Sequence, residues 1–430
     1  MNFFDDLFDL KLTKNMGICN MTDEFFCLYL NYINHQYDNN ILVVVNSLFE
    51  GNQLYNSLSN YNSNVLLFPM DDFLTSEALA LSPDLMITRL ETLNQLISNK
   101  NKIIITNLMG YLRFLPLKSN YQNSIINLKV GDIISPSELT KRLVSCGYYR
   151  DTLVNKTGEF GVRGFVIDIF AIDEDNPIRV EFFDDEIESI RYFDADSQKS
   201  ISSVSQVEVK PFSEFLSSKV VEDIHFGKQK FLPLYENVSN IMDYMGDCFT
   251  FFRDFDQLEL SYLNIMNDVT TFKEEKDISF CYPYMFDLNE LNVQFPVYYY
   301  SYRNLANFDY ISSMLDMNVK TINPFHENVE AINSFILDSI NQNKTVVIIL
   351  KKYQIRSLLK YLTMKVFETN FSDIKVGKVN IVEGEFNQGF LFNNFVVLSE
   401  NELFQNNIKK KKYGTKYKYG SSIHDINKLV

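Results

Sequence analysis

Apolar positions along the first 117 residues fall into two alternating patterns. "DEFFCLYLNYINHQ" (23–36) carries them at helical spacing, whereas "NILVVVNS" (40–47) is a short apolar run suited to a strand buried on both faces. "LFEGNQLYNSLSNY" (48–61) is helical again, and "NVLLF" (64–68) is a strand. "SPDLMITRLETLNQLIS" (82–98) is a helix with Pro83 near its first turn, and "KIIITN" (102–107) is another buried strand. Strand and helix in this alternation predict an α/β layer with a parallel sheet.

From about 118 to 208 the pattern changes. A helix opened by Ser135-Pro136 in "GDIISPSELTKRLVSCGY" precedes three short strand candidates, "GVRGFVIDIF" (161–170), "PIRVEFF" (177–183) and "EIESIRYF" (186–193). Their connections, "AIDEDN" and Asp184-Asp185, are short, which predicts an antiparallel meander. Residues 209–325 return to mixed α/β rich in Tyr and Phe. Residues 326–405 read as another small α/β unit: helix "ENVEAINSFILDSINQ", strand "KTVVIIL", helix "YQIRSLLKYLTMKVF" and strand "FVVLS". The end, 406–430, is a polar, Lys-rich stretch expected to be a basic linker.

Composition narrows the function classes. A 430-residue chain with 46% apolar residues is globular, with room for about three domains. Its formal charge of −15 opposes sequence-blind affinity for nucleic acid. No apolar run is long enough to span a membrane, and the acidic start lacks the features of a signal peptide. Five scattered cysteines (Cys19, Cys27, Cys146, Cys248, Cys281) without CxxC spacing read as reduced, buried and cytoplasmic. Neither they nor the four histidines suggest a metal site. Usage is skewed toward Asn, Ile, Lys, Phe and Tyr, with only ten Arg among the 40 basic residues, so each arginine carries more weight.

The first α/β unit has the element order of a nucleotide-binding sheet, yet no GxxxxGK[ST] loop occurs in the chain. At the expected place stands "GICNMTDE" (17–24). Counting from Gly17, Thr22 takes the position of the second glycine, Asp23 that of the lysine and Glu24 that of the hydroxyl residue. An acid in the lysine's place repels triphosphate, so no ATP hydrolysis and no cofactor are expected. No catalytic constellation replaces the loop.

"GEFGVRGFVIDIF" (158–170), followed by "PIRVEFFDDEIESIRYFDADSQKSI" (177–201), resembles the N-terminal module of bacterial transcription-repair coupling factors, the Mfd family. The pattern also occurs in the excinuclease subunit UvrB. The segments 64–90, 128–148 and 394–404 look like the same family, and residues 209–325 match it loosely. The missing phosphate loop favours Mfd over UvrB, as does the short "DDFLTSEALALSPD" where a DNA-wedging insertion would sit. So does "DCFTFFRDFD" (247–256), with Arg253 and Asp254 in place of a Walker-B acid pair. The resemblance implies a degenerate UvrB-like, P-loop-type parallel sheet (1–117 and 209–325) with an inserted antiparallel α+β domain (118–208). A small α/β domain (326–405) and the linker (406–430) would follow. It also implies that RNA polymerase and double-stranded DNA would be engaged only through C-terminal domains that this chain lacks, whether it is a fragment or a truncated gene. A monomer is expected.

In that family the meander domain recruits UvrA. Carried over by motif, the contacts fall on Arg163, Arg179 and Phe183, with Arg191 a weaker candidate. The residue types suit the role, since arginine grips carboxylates in a planar fork and an adjacent aromatic is a common interface anchor. Three of the ten arginines lie between 163 and 191. Strand arginines most often pair with a neighbour, and Glu181 and Glu188 are near enough to serve. One of Phe182 and Phe183 must face the core and the other solvent; the alternation does not say which. The competing class is a UvrB-like protein that binds DNA itself.

Overall fold

The computed structural model describes residues 7–8, 11–60, 62–72, 82–98, 101–217, 229–275, 283–301 and 308–404. Residues 73–81, within the segment expected to be a short insertion, Cys281, His225, His424 and the basic stretch 406–430 lie outside the described residues.

The chain opens with β1 (Met16–Cys19) and α1 (Asp23–Tyr37), whose first turn is capped by Thr22 Oγ1 accepting from the Phe25 N–H. Then come β2 (Asn40–Val45), α2 (Leu48–Leu58) capped by Ser47, β3 (Val65–Phe68), α3 (Pro83–Ser98) and β4 (Ile103–Asn107). The next stretch holds β5 (Ile126–Lys129), α4 (Pro136–Ser145), β6 (Tyr149–Arg150), β7 (Glu159–Arg163) and β8 (Val166–Ile169). It continues with β9 (Ile178–Phe183), β10 (Glu186–Phe193), β11 (Ser200–Val204) and β12 (Gln206–Val209). After it come β13 (Cys248–Arg253), α5 (Phe255–Glu275), β14 (Phe295–Tyr300) and β15 (Ser313–Asp316). The last unit contains β16 (Lys320–Thr321), α6 (Val329–Asn341), β17 (Thr345–Leu350), α7 (Lys352–Leu358) and β18 (Val366–Thr369). It ends with β19 (Val379–Glu383), β20 (Phe390–Phe392), β21 (Phe395–Leu398) and α8 (Glu400–Leu403).

Seven parallel strands form the first sheet in the order β15-β1-β14-β13-β2-β4-β3. Strands from before residue 108 and after residue 247 therefore interleave in one layer. Between them, β5 and β12 pair antiparallel, so the chain enters and leaves the intervening module side by side. That module's sheet runs β11-β10-β9-β8-β7-β6, antiparallel except for β6 against β7. The last unit has its own mixed sheet, β16-β20-β21-β17-β19-β18.

Alternate residues of β2 feed different cores. Leu42 and Val44 join a cluster that runs into the antiparallel module, while Ile41, Val43 and Val45 join one with α1 and part of the last unit. There Phe25 meets Phe390 and Phe392 at ring-centroid distances of 5.0 and 4.8 Å.

Two elements differ from the sequence reading. "GVRGFVIDIF" is a hairpin and not one strand: Gly164 has φ +60°, and Arg163 pairs with Val166 across a two-residue loop. "YQIRSLLKYLTMKVF" stops being helical at Leu358. The amide of Asn333 captures the following turn, donating to Tyr361 O at 2.9 Å and accepting from Thr363 N at 2.9 Å, and Val366–Thr369 then pairs with β19 as a strand.

Candidate functional site

Strand β9 alternates Ile178, Val180 and Phe182 into the core with Arg179, Glu181 and Phe183 on the opposite face. The ambiguous pair resolves, since Phe182 is 5% exposed and Phe183 73%. Phe165 and Ile133 are also exposed at this end of the sheet, where the Phe165 carbonyl accepts from Phe182 N at 2.9 Å and Ile133 bridges to Glu186.

Register places Asp168 directly opposite both Gly161 on β7 and Arg179 on β9. Its carboxylate is only 1% exposed. Oδ1 accepts from Arg179 Nε at 2.6 Å; Oδ2 accepts from Arg179 Nη2 at 2.9 Å and from Arg163 Nη2 at 2.6 Å. Arg179 also donates to Gln198 Oε1 at 3.3 Å, and its guanidinium lies 4.4 Å from the centre of the Phe193 ring. The hydrogen bonds that Arg179 donates to Asp168 raise its pKa above the ordinary value. Arg191 is engaged separately, with Glu181, which also accepts from Ser189 Oγ at 2.8 Å.

The structure thus brings Arg163 and Arg179 together and leaves Arg191 in a neighbouring pair. Glu181 serves Arg191, while the shared partner of the other two is Asp168, which sequence reasoning missed. A signal was present: an acid between two isoleucines in "VIDIF" must face away from the core, where the arginines also point.

The six positions of the suspected nucleotide site do not form one constellation. Gly17 lies within β1, paired with Tyr298 and Met314, so it cannot open a phosphate loop. Only Asn20, Met21 and Thr22 connect β1 to α1, and Thr22 is the helix cap. At the carboxyl edge of the sheet, where ligands of such folds bind, Arg253 Nη2 donates to Asp23 Oδ1 at 2.9 Å. Asp254 accepts from Ser301 N and Oγ at 2.9 and 2.6 Å. The N-terminus of α1, a natural place for a phosphate, therefore carries the chain's own carboxylate, already paired. Glu24 points away and is buried against the last unit, with Oε1 accepting from Asn387 N at 3.0 Å. Burial pushes its carboxyl up to about 7; the Asn387 hydrogen bonds oppose this, and nearby Asp23 and Glu402 add to it.

Residues 126–215 match the family described as the UvrB interaction domain. Over 434 residues the chain is 26% identical to the transcription-repair-coupling factor of Bacillus subtilis, covering 86% of this chain and 36% of that protein. The corresponding protein of Staphylococcus haemolyticus is 25% identical over 432 residues, covering 87% of this chain and 37% of the relative. This chain is similar to a part of the transcription-repair-coupling factors.

It spans a little over a third of the length of these transcription-repair-coupling factors. Arg163, Asp168, Arg179, Phe183 and Arg191 all fall within the matched 126–215 span, whereas Gly17, Thr22, Asp23, Glu24, Arg253 and Asp254 fall outside it. Among the described residues no group of three or more His, Cys, Asp or Glu side chains could hold a metal ion, and no helix is long and apolar enough to cross a membrane.

Proposed function

We propose that this chain is a docking module for UvrA in transcription-coupled nucleotide excision repair, and that it does not hydrolyse nucleotides itself. The observation that supports this most directly is an arginine pair held on a buried acid beside an exposed phenylalanine, all within the UvrB interaction domain. Arginine and aromatic side chains are the residue types that concentrate binding energy at protein interfaces. Under this reading any contact with RNA polymerase and any movement on DNA would lie outside the stretch of the relatives that this chain covers. The Asp23–Arg253 pair at the edge of the parallel sheet supports a sheet that serves as scaffold. The charge of −15 counts against direct duplex binding.

Calorimetric titration with UvrA tests the reading. Arg163→Ala is expected to weaken binding by roughly 1–3 kcal/mol, and the Arg163→Ala, Arg179→Ala double variant by at least as much. Unchanged affinity in the double variant would refute the assignment, and salt-dependent duplex binding by the wild type would favour a UvrB-like role in its place.

A further inference from the structure

The two arginines of the docking face are not equivalent. Arg179 commits both Nε and Nη2 to Asp168, rests against the Phe193 ring, and keeps only 16% of its side chain exposed. Arg163 reaches the same carboxylate through one nitrogen, and 53% of its side chain is exposed. Asp168 is therefore the hub of a small rigid cluster: one negative charge, buried in a β-ladder, holding two positive ones. The cluster keeps a net positive charge.

We infer that Asp168 and Arg179 are positioning residues that hold Arg163 in one orientation, and that Arg163 together with Phe183 makes the contact with an acidic patch around an apolar pocket on UvrA. This rests on the docking reading above. A surface arginine that samples many rotamers loses that freedom on binding, whereas one already tethered to a strand ladder has lost it beforehand. Arg179, with its fork turned inward, cannot also grip a partner's carboxylate in bidentate fashion. The Asp184-Asp185 turn lies just beyond Phe183, so the partner's carboxylate belongs on the arginine side of the ring, away from the turn.

A double-mutant cycle separates positioning from general damage. UvrA binding is measured by titration for the wild type, Asp168→Asn, Arg163→Ala and the double variant, with the circular dichroism of each recorded. Asp168→Asn is expected to weaken binding about tenfold in the wild-type background and less than about twofold once Arg163 is gone, because residues that act through one another are not additive. A merely structural Asp168 would produce the same loss in both backgrounds, and that result overturns the inference. Should Asp168→Asn not fold, Arg179→Lys takes its place in the cycle: it keeps the charge but cannot bridge both carboxylate oxygens. The same coupling to Arg163 is then expected, and its absence is equally fatal. A wild-type chain that does not bind UvrA overturns the docking reading and this inference together. Binding with uncoupled losses removes only the division of roles.

Discussion

Replacing Glu214 with Gln should loosen the junction between the antiparallel module and the parallel sheet, and by an amount that depends on pH. Glu214 lies just beyond β12, where the chain leaves the module, and is 3% exposed. Its carboxylate accepts from Arg89 Nε and Nη2 at 2.7 and 2.9 Å, and from Arg113 Nε and Nη2 at 3.1 and 2.6 Å. Arg89, which is fully buried on α3, also donates to Pro69 O at 2.8 Å. Burial pushes the Glu214 pKa up, but the two guanidiniums outweigh it and bring it from 4.5 down to about 2. That drop corresponds to about 3 kcal/mol favouring the folded, ionised form. The same order follows from removing one partner of a buried ion pair, at about 3–5 kcal/mol. Because the folded pKa is depressed, the contribution is present above pH 4.5 and is lost as pH falls toward 2. The gap between wild type and Glu214→Gln should therefore be about 3 kcal/mol at pH 7 and less than half of that near pH 3. Hydrogen exchange on peptides covering α3 and β12 reads this locally, without assuming that the whole chain unfolds in one step. A gap that is the same at both pH values, or absent at pH 7, would refute the reasoning.

Glu24 should behave in the opposite sense. Its folded pKa is raised to about 7, so its contribution is fully present below pH 4.5 and lost as pH rises through 7. Glu24→Gln should therefore be more stable than wild type at pH 8, by up to about 3 kcal/mol, and nearly equal to it at pH 4. Thermal melts at the two pH values check the sign, and a variant that is less stable at pH 8 contradicts it. The phenylalanine pair should divide cleanly between stability and binding. Phe182→Ala is expected to cost about 3–5 kcal/mol of stability, while Phe183→Ala changes stability by less than about 0.5 kcal/mol and weakens UvrA binding. Urea unfolding alongside titration distinguishes the two, and equal effects on stability would contradict the assigned faces.

Much of this architecture was legible along the chain. The short apolar runs at 41–45 and 103–105 suited strands covered on both faces, and they became part of inner strands of the parallel sheet. The period of two in "IRVEFF" marked a strand with one wet face. The lack of a GxxxxGK[ST] loop was visible from spacing, whereas the docking candidates came only from the family resemblance. Local signals failed where a distant partner decided the outcome. "YLTMKVF" has helical spacing, but Asn333 on another helix holds its first turn and β19 recruits its end. Gly17 kept its place in a degenerate motif only on paper, since two neighbouring strands draw it into the sheet.

What the sequence determined by itself is what short-range physics controls: most of the strands and helices, and many of the caps and turns between them. Tertiary structure alone decided who neutralises whom. Asp168 meets Arg163 and Arg179, Glu181 meets Arg191, Asp23 meets Arg253, and Glu214 joins two arginines more than a hundred positions upstream. Periodicity says which face a side chain takes, but pairing also needs the register between strands and the way separate layers dock. Those follow from the sum of many weak contacts across the fold, which no local stretch of sequence contains.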